Sequence, residues 1–441
     1  MKTMETKTKI IQNPPRSRWS ELLKRPAMDS EYLDQAVEDI FFAVKRKGDQ
    51  ALKDFTRSFD GVEPGELEVP SSLLADAEQR ISPALRDAIQ VAATNIRTFH
   101  LAQEFRSVEV ETSPGVVCWQ KAVPIQRVGL YIPGGSAPLF SSVLMLAIPA
   151  QIAGCSEIVV CTPPGKDGRV NPAILYAARL AGVTRVFTVG GAQAIAAMAF
   201  GTESIPAVNK IFGPGNQFVT AAKQAVQKLG VAIDLPAGPS EVLVMADETA
   251  NPRFVASDLL SQAEHGPDSQ VILVTTQRKL AEQTLEAMEE QLQLLPRKDT
   301  IRESLASSRL IVMDSVDDMV EMVNGYAPEH LIISMENSRR VSEDIVNAGS
   351  VFLGNYTPES AGDYASGTNH TLPTNGFARA YSGVNLDSFL KKITFQEITP
   401  RGLQGLGETL QQMATSENLE AHNLAVSVRL DALDKENPNG N

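Results

Sequence analysis

The sequence predicts an α/β protein built from two parallel-sheet units with a cleft between them, flanked by small N-terminal and C-terminal helical segments. Three observations predict it. Short β-rich runs alternate with helical stretches from residue 127 to residue 353. Those of the first half end in glycine or proline: Pro133-Gly134-Gly135, Pro163-Pro164-Gly165, Gly190-Gly191 and Gly213-Pro214-Gly215. The runs also fall into two successive series, as two similar domains, or a duplication, would give.

Taken in order, residues 1–26 mix charges and prolines and read as an irregular arm. From Ser30 to Ala102 the pattern is helical. Ile40, Val44 and Ala51 are spaced along one segment, and Ile89, Ala93, Ile96 and His100 along another, opened by Ser82-Pro83 as N-cap and first-turn proline. Val108 to Gln120 reads as a hairpin about Ser113-Pro114-Gly115. The first strand series is Arg127–Ile132, Glu157–Cys161, Arg185–Val189 and Lys210–Phe212. The second is Glu241–Met245, Gln270–Thr275, Leu310–Met313, His330–Ser334 and Ser350–Leu353. Leu139 to Gly154 is the most apolar window; it is too short to span a bilayer and reads as a core helix. The chain turns helical again from Leu403 to Leu430, and Asp434–Asn441 reads as a disordered polar tail. Ligands of such folds bind outside the carboxyl ends of the strands, so the cleft is the expected site.

A net charge of −13 argues against nucleic acid or an anionic membrane as the main partner. No signal peptide is visible, and Cys118, Cys155 and Cys161 form no CxxC pair. Reduced thiols in a cytoplasmic protein are the expectation, with Cys155 and Cys161 buried.

Tyr326-Ala327-Pro328-Glu329-His330-Leu331 sets a carboxylate beside an imidazole at a loop-to-strand junction. Neighbours on a strand point to opposite faces, so Glu329 and His330 suit two separate bases better than one dyad. The plain alternative is a capping glutamate and a histidine satisfied by backbone. Gln262 and His265 stand i, i+3 at a helix end closed by Gly266-Pro267, where they form either a polar terminus or a pair of metal ligands. Asp363 lies in a long loop of small residues, Glu359 to His370, as a ligand or a turn-former. His422 is an isolated histidine on a C-terminal helix. No Cys₄, HExxH or full GxGxxG pattern exists; Gly190-Gly191-Ala192-Gln193-Ala194 is a glycine turn into a helix.

Together these segments resemble the histidinol dehydrogenase family. The matching pieces are Arg46–Asp49, Phe59–Gly61, Tyr131–Gly135, Phe212–Asn216, Gly238–Val242, Ser261–Asp268, Ala327–Leu331, Glu359–Pro373 and Ala421–Asn423, in order along residues 20–430. The resemblance implies oxidation of L-histidinol to histidinal and then to L-histidine, each step NAD-dependent, with water added between them. It implies zinc, one per subunit, held by Gln262, His265, Asp363 and His422, and acid–base work by Glu329 and His330. Ser240 and Glu417 become substrate contacts alongside Gln262, His265, His330, Asp363 and His422. Tyr131, Gln193 and Asn216 become the NAD contacts.

The implied architecture is an intertwined homodimer of Rossmann-like domains. Residues 27–129 and 239–380 carry the metal and catalytic groups, 130–238 bind NAD, and 381–441 complete the partner's site with Glu417 and His422 in trans. The rival readings are a zinc- and NAD-dependent dehydrogenase of another alcohol, a metallohydrolase with Glu329 activating water, and a catalytically silent binding protein.

Overall fold

The computed structural model describes residues 9–26, 30–134 and 138–436. Gly135 of the first glycine turn, the first eight residues of the arm and the tail beyond Glu436 lie outside the described residues. The chain folds as two compact units. The first comprises residues 1–103 and 125–389, the second 104–124 and 390–441.

The first unit holds two parallel sheets. In chain terms, one has the order Arg185–Thr188, Glu157–Thr162, Arg127–Tyr131, Lys210–Phe212, Ala232–Ile233. The other has the order Lys9–Gln12, Arg309–Val312, Gln270–Thr275, Glu241–Ala246, His330–Ser334, Ser350–Leu353. Setting aside the N-terminal strand, both read 3-2-1-4-5, the doubly wound order, with the winding reversing between the first strand and the fourth. The inner strands are buried on both faces, Glu241–Ala246 and Gln270–Thr275 along their whole length, which is why they read as continuous apolar runs rather than alternating ones.

The helices follow their caps. Ser82 accepts from Leu85 N and Pro83 opens the helix Pro83–Leu101, whose Ile89, Ala92, Ala93 and Ile96 are buried. Phe140–Ala153 is buried nearly all round and ends at Gly154 in the left-handed region. Ser30–Lys47 and Pro83–Leu101 both pack on the five-stranded sheet, against Ala192–Met198 and against Val143–Ala150 respectively. Residues 30–101, placed with 239–380 from sequence, thus share the core of the other sheet: their apolar faces match its helices.

Three other expectations change. The arm is not irregular: Lys9–Gln12 joins the edge of the six-stranded sheet parallel to Arg309–Val312, and Arg16–Leu22 forms short helical turns. The C-terminal helix is two, Pro400–Ser416 and Glu420–Glu436, broken where Asn418 turns left-handed. The C-terminal segment of the second unit starts at Leu390, because Leu390–Ile398 pairs antiparallel with Val116–Pro124, the second strand of the expected hairpin. No described helix is long and apolar enough to cross a membrane.

Candidate active site

The five-stranded sheet presents its carboxyl edge to the larger cavity, of about 910 Å³. Tyr131 ends the first strand, and its hydroxyl accepts from Gly191 N at 3.1 Å. Gln193, on the first turn of the helix Gly191–Phe200, is buried, and its Oε1 has no hydrogen-bond partner among the described residues. Asn216 caps the helix Gln217–Gln227 by accepting from Val219 N at 3.1 Å. All three line this cavity. Asn216 follows a turn that only glycine can make: Gly213 has φ +125°, and a Cβ there would strike the carbonyl oxygen of Tyr131. A buried pair fastens the turn. Asp234 accepts from Gly213 N at 2.8 Å, Lys223 donates to Gly213 O at 2.7 Å, and Lys223 Nζ lies 2.5 Å from Asp234.

Asn216 also lines a second cavity of about 290 Å³, so the two spaces meet at one side chain. Ser240, Gln262, His265, Glu329, His330, Asp363 and His370 line its other wall. These come from the amino edge of the six-stranded sheet: Ser240 precedes Glu241–Ala246, and His330 opens His330–Ser334. The expectation of a site at carboxyl ends therefore holds for the five-stranded sheet alone. Facing sheets bring opposite edges to one cleft.

Glu329 and His330 are buried, at 6% and 4% exposure. They are not a hydrogen-bonded dyad, since His330 Nδ1 lies 3.6 Å from Glu329 Oε2. Both hang instead from the backbone of one residue. The N–H of Glu241 donates to Glu329 Oε2 at 2.8 Å, and the carbonyl of Glu241 faces His330 Nδ1 at 3.1 Å. A carbonyl can only accept, so Nδ1 carries a proton, and in the neutral ring Nε2 is the basic nitrogen. Nε2 is buried without a hydrogen-bond partner among the described residues, 3.7 Å from Asp363 Oδ1. Burial opposes charge on His330, but Glu329, Glu359 and Asp363 outweigh it and raise its pKa well above the usual histidine value.

His265, Glu359 and Asp363 can each place a ligand atom within 4.8 Å of the others. The first half of the stretch read as a loop is helical, Glu359–Tyr364, which puts Glu359 and Asp363 i, i+4 on one side. His265 lies just past the end of the helix Pro252–Ala263 and is exposed, whereas Gln262 is buried. The Gln262 amide sits between the Glu359 carboxylate and Glu241 N. Turned one way, its nitrogen donates to Glu359 and its oxygen accepts from Glu241 N at 3.1 Å; turned the other, its oxygen faces the carboxylate. Two oxygens face each other stably only with a cation or a shared proton between them. Burial drives the Glu359 carboxyl well above its usual range, with Asp363, Glu329 and Asp258 adding like charge against the opposing His330. Asp258, which accepts from Glu359 N, is pushed up to about 7 by burial. Burial also works against charge on Asp363, but His330 and the neighbouring histidines hold its pKa below the usual value. An amide oxygen, an imidazole and crowded buried carboxylates form a donor set that suits a divalent, borderline cation.

Sequence reading missed Glu359, Glu241 and the Lys223–Asp234 pair. Glu359 alone had a signal, its i, i+4 spacing to Asp363, hidden because the stretch was read as a loop. His370, unassigned from sequence, bridges Asp363 O at 2.9 Å and Ser142 Oγ at 3.0 Å. Glu417 and His422 are exposed in the second unit, at the break between its helices and on the first turn of the last one. The cluster of the first unit forms from that unit's residues alone.

Comparison with known proteins follows the same residues. The family model described as histidinol dehydrogenase matches residues 23–430. A curated histidinol dehydrogenase of Bacteroides fragilis is 59% identical over 427 residues, covering 97% of this chain and 100% of that one. That of Escherichia coli strain K12 is 55% identical over 416 residues, covering 94% and 95%. The crystal structure of histidinol dehydrogenase from Elizabethkingia anophelis superposes with a TM-score of 0.94 at 54% identity, covering 98% of this chain and 100% of that one.

Proposed function

The chain belongs to the histidinol dehydrogenase family, and on that premise we propose that His330 and Glu329 carry the acid–base steps that take L-histidinol through histidinal to L-histidine. The observation that carries this reading is the buried, unpartnered Nε2 of His330 beside Asp363, in a cavity that meets the larger one at Asn216. When bound, zinc would supply a positive anchor for the imidazole and amine nitrogens of the substrate, and NAD would supply the hydride acceptor. Gln262, His265 and Asp363 would hold the metal, joined by His422; Tyr131, Gln193 and Asn216 would hold the dinucleotide.

The chain's own groups divide the work. His330 Nε2 takes the hydroxyl proton as the alcohol is oxidised, with Nδ1–H tied to the Glu241 carbonyl throughout. Glu329 has one oxygen occupied by Glu241 N–H, leaving the other for a water that it deprotonates toward the aldehyde. His330 then takes the proton of the hydrated aldehyde. Ser240, Glu417 and the ligand residues His265, Asp363 and His422 orient the substrate. Glu417 and His422 come from the partner in a cytoplasmic homodimer, a reading supported by their place in a second unit that presents Val110, Ile393, Phe395, Leu424 and Val428 to solvent.

The test is NADH yield with L-histidinol limiting and NAD in excess, before and after metal chelation. Two NADH per histidinol, lost on chelation and restored by zinc, is the expected result. One NADH with free aldehyde would overturn the Glu329 role, and none from folded, zinc-loaded protein would overturn the substrate.

A further inference from the structure

Both candidate acid–base residues depend on the main chain of Glu241, and the side chain of Glu241 is itself buried at 2% exposure. A carboxylate there must be compensated, because an uncompensated buried charge either takes up a proton or draws in water. Compensation comes from the N-terminal arm. Arg25 Nε and Nη2 form a fork on the two carboxylate oxygens of Glu241, at 2.5 and 2.8 Å. Asn375 N donates to the same carboxylate at 2.7 Å.

Arg25 reaches a second support of the same pair. Its Nη2 donates to the carbonyl of Tyr326 at 2.9 Å, and its guanidinium lies 3.8 Å from the Tyr326 ring centroid. Tyr326 is the last residue of the helix Val316–Tyr326. The next residue, Ala327, has φ +55°. A left-handed alanine is an uncommon conformation for which helix ends usually use glycine. It turns the chain so that Pro328, Glu329 and His330 enter the strand. A cation on the last carbonyl of the helix stabilises that end. The Tyr326 hydroxyl donates to Gln270 Oε1 at 2.8 Å, and Gln270 Nε2 donates to Lys24 O at 3.0 Å, so the arm is fastened on both sides of Arg25's contacts.

We infer that Arg25 is a positioning residue for the reaction, holding the Glu241 backbone and the Tyr326–Ala327 turn in the one arrangement that orients Glu329 and fixes the tautomer of His330. Arg25 touches neither substrate cavity. It acts through Glu241 and the Tyr326–Ala327 turn. The inference rests on the acid–base roles proposed for Glu329 and His330.

The experiment uses the full-length zinc-loaded enzyme, well below its unfolding temperature, with Arg25→Gln, Arg25→Lys, His330→Asn and the double variant Arg25→Gln/His330→Asn. Positioning predicts that Arg25→Gln lowers kcat about 10- to 100-fold, the scale of a small misplacement of reacting groups. Zinc content and the KM for L-histidinol stay within about twofold of wild type. Arg25→Lys keeps the charge without the fork and recovers part of the loss. In the His330→Asn background, Arg25→Gln costs less than about twofold more, since residues acting as one unit are not additive. A kcat unchanged in Arg25→Gln, or a fully multiplicative double variant, overturns the inference. So does a lower unfolding temperature as the sole effect. If Arg25→Gln fails to fold, Arg25→Lys decides: wild-type kcat in it overturns the inference, and a fall in kcat at constant KM and zinc supports it. A fully active His330→Asn would overturn the acid–base reading itself, which separates the two failures.

Discussion

His330 Nδ1 lies 3.1 Å from the carbonyl oxygen of Glu241, and this contact commits the other ring nitrogen to chemistry. The N–H of the same residue binds Glu329. The backbone of one residue at the start of the strand thus orients two side chains that the sequence places next to each other but the strand sends apart.

Exchange of His330 for Asn is expected to lower kcat of both oxidations by about 10² to 10⁴, the usual range for loss of a general base. Glu329→Gln keeps a group of the same shape against Glu241 N–H but cannot deprotonate water. It is expected to stop after the first oxidation, so single-turnover NADH falls from two per histidinol to one.

Asp363→Asn is expected to weaken metal and substrate together, because the same carboxylate belongs to the cluster with His265 and Glu359 and lies beside His330. Metal content after dialysis and KM for L-histidinol measure this directly. Retained zinc with unchanged KM would remove Asp363 from the ligand set.

At the cofactor side, Asp234→Asn leaves Lys223 buried without its counter-charge and replaces the carboxylate that holds the N–H of Gly213 by a neutral amide. A loss of about 3–5 kcal/mol in stability is expected for breaking such a pair. Denaturant unfolding reads the stability, and a raised KM for NAD with unchanged KM for L-histidinol reads the loosened turn. Gly213→Ala is expected to raise the KM for NAD as well, since its Cβ meets Tyr131 O.

The thiol route to aldehyde oxidation needs an available thiolate. Burial pushes the Cys155 thiol up to about 12 and the wholly buried Cys161 higher still, although Cys155 is only half-buried rather than enclosed as its apolar neighbours suggest. A raised thiol pKa keeps the neutral form through the working range, so alkylation by iodoacetamide at pH 8 is expected to be slow at both. Alanine or serine at each of Cys118, Cys155 and Cys161 is expected to leave two NADH per histidinol. Loss of the second NADH alone would revive the thiol route.

Mixing tests the contribution in trans. Glu329→Gln and His422→Asn chains, denatured and refolded together, are expected to recover about a quarter of the wild-type second oxidation, read as the second NADH per histidinol, because half of randomly paired dimers carry one intact site of two. No recovery would place Glu329 and His422 in the same subunit's site.

The sequence by itself determined the elements and most of the candidate site. The inner parallel strands were legible because they are buried on both faces and read as unbroken apolar runs between glycine and proline turns. Glu329, His330, Gln262, His265 and Asp363 were legible as a set through motif order, and they converge on one cavity. Tertiary structure decided what side-chain spacing does not encode. It brought the amino edge of one sheet to the carboxyl edge of the other. It also turned an arm read as irregular into the anchor of Glu241, through a fork between residues 216 positions apart. Neither Arg25 nor Glu241 has a local signal, because the need for each arises only when the other is buried beside it. A charge in a low-dielectric interior acquires its meaning from its partner, and that pairing exists only once the chain has folded.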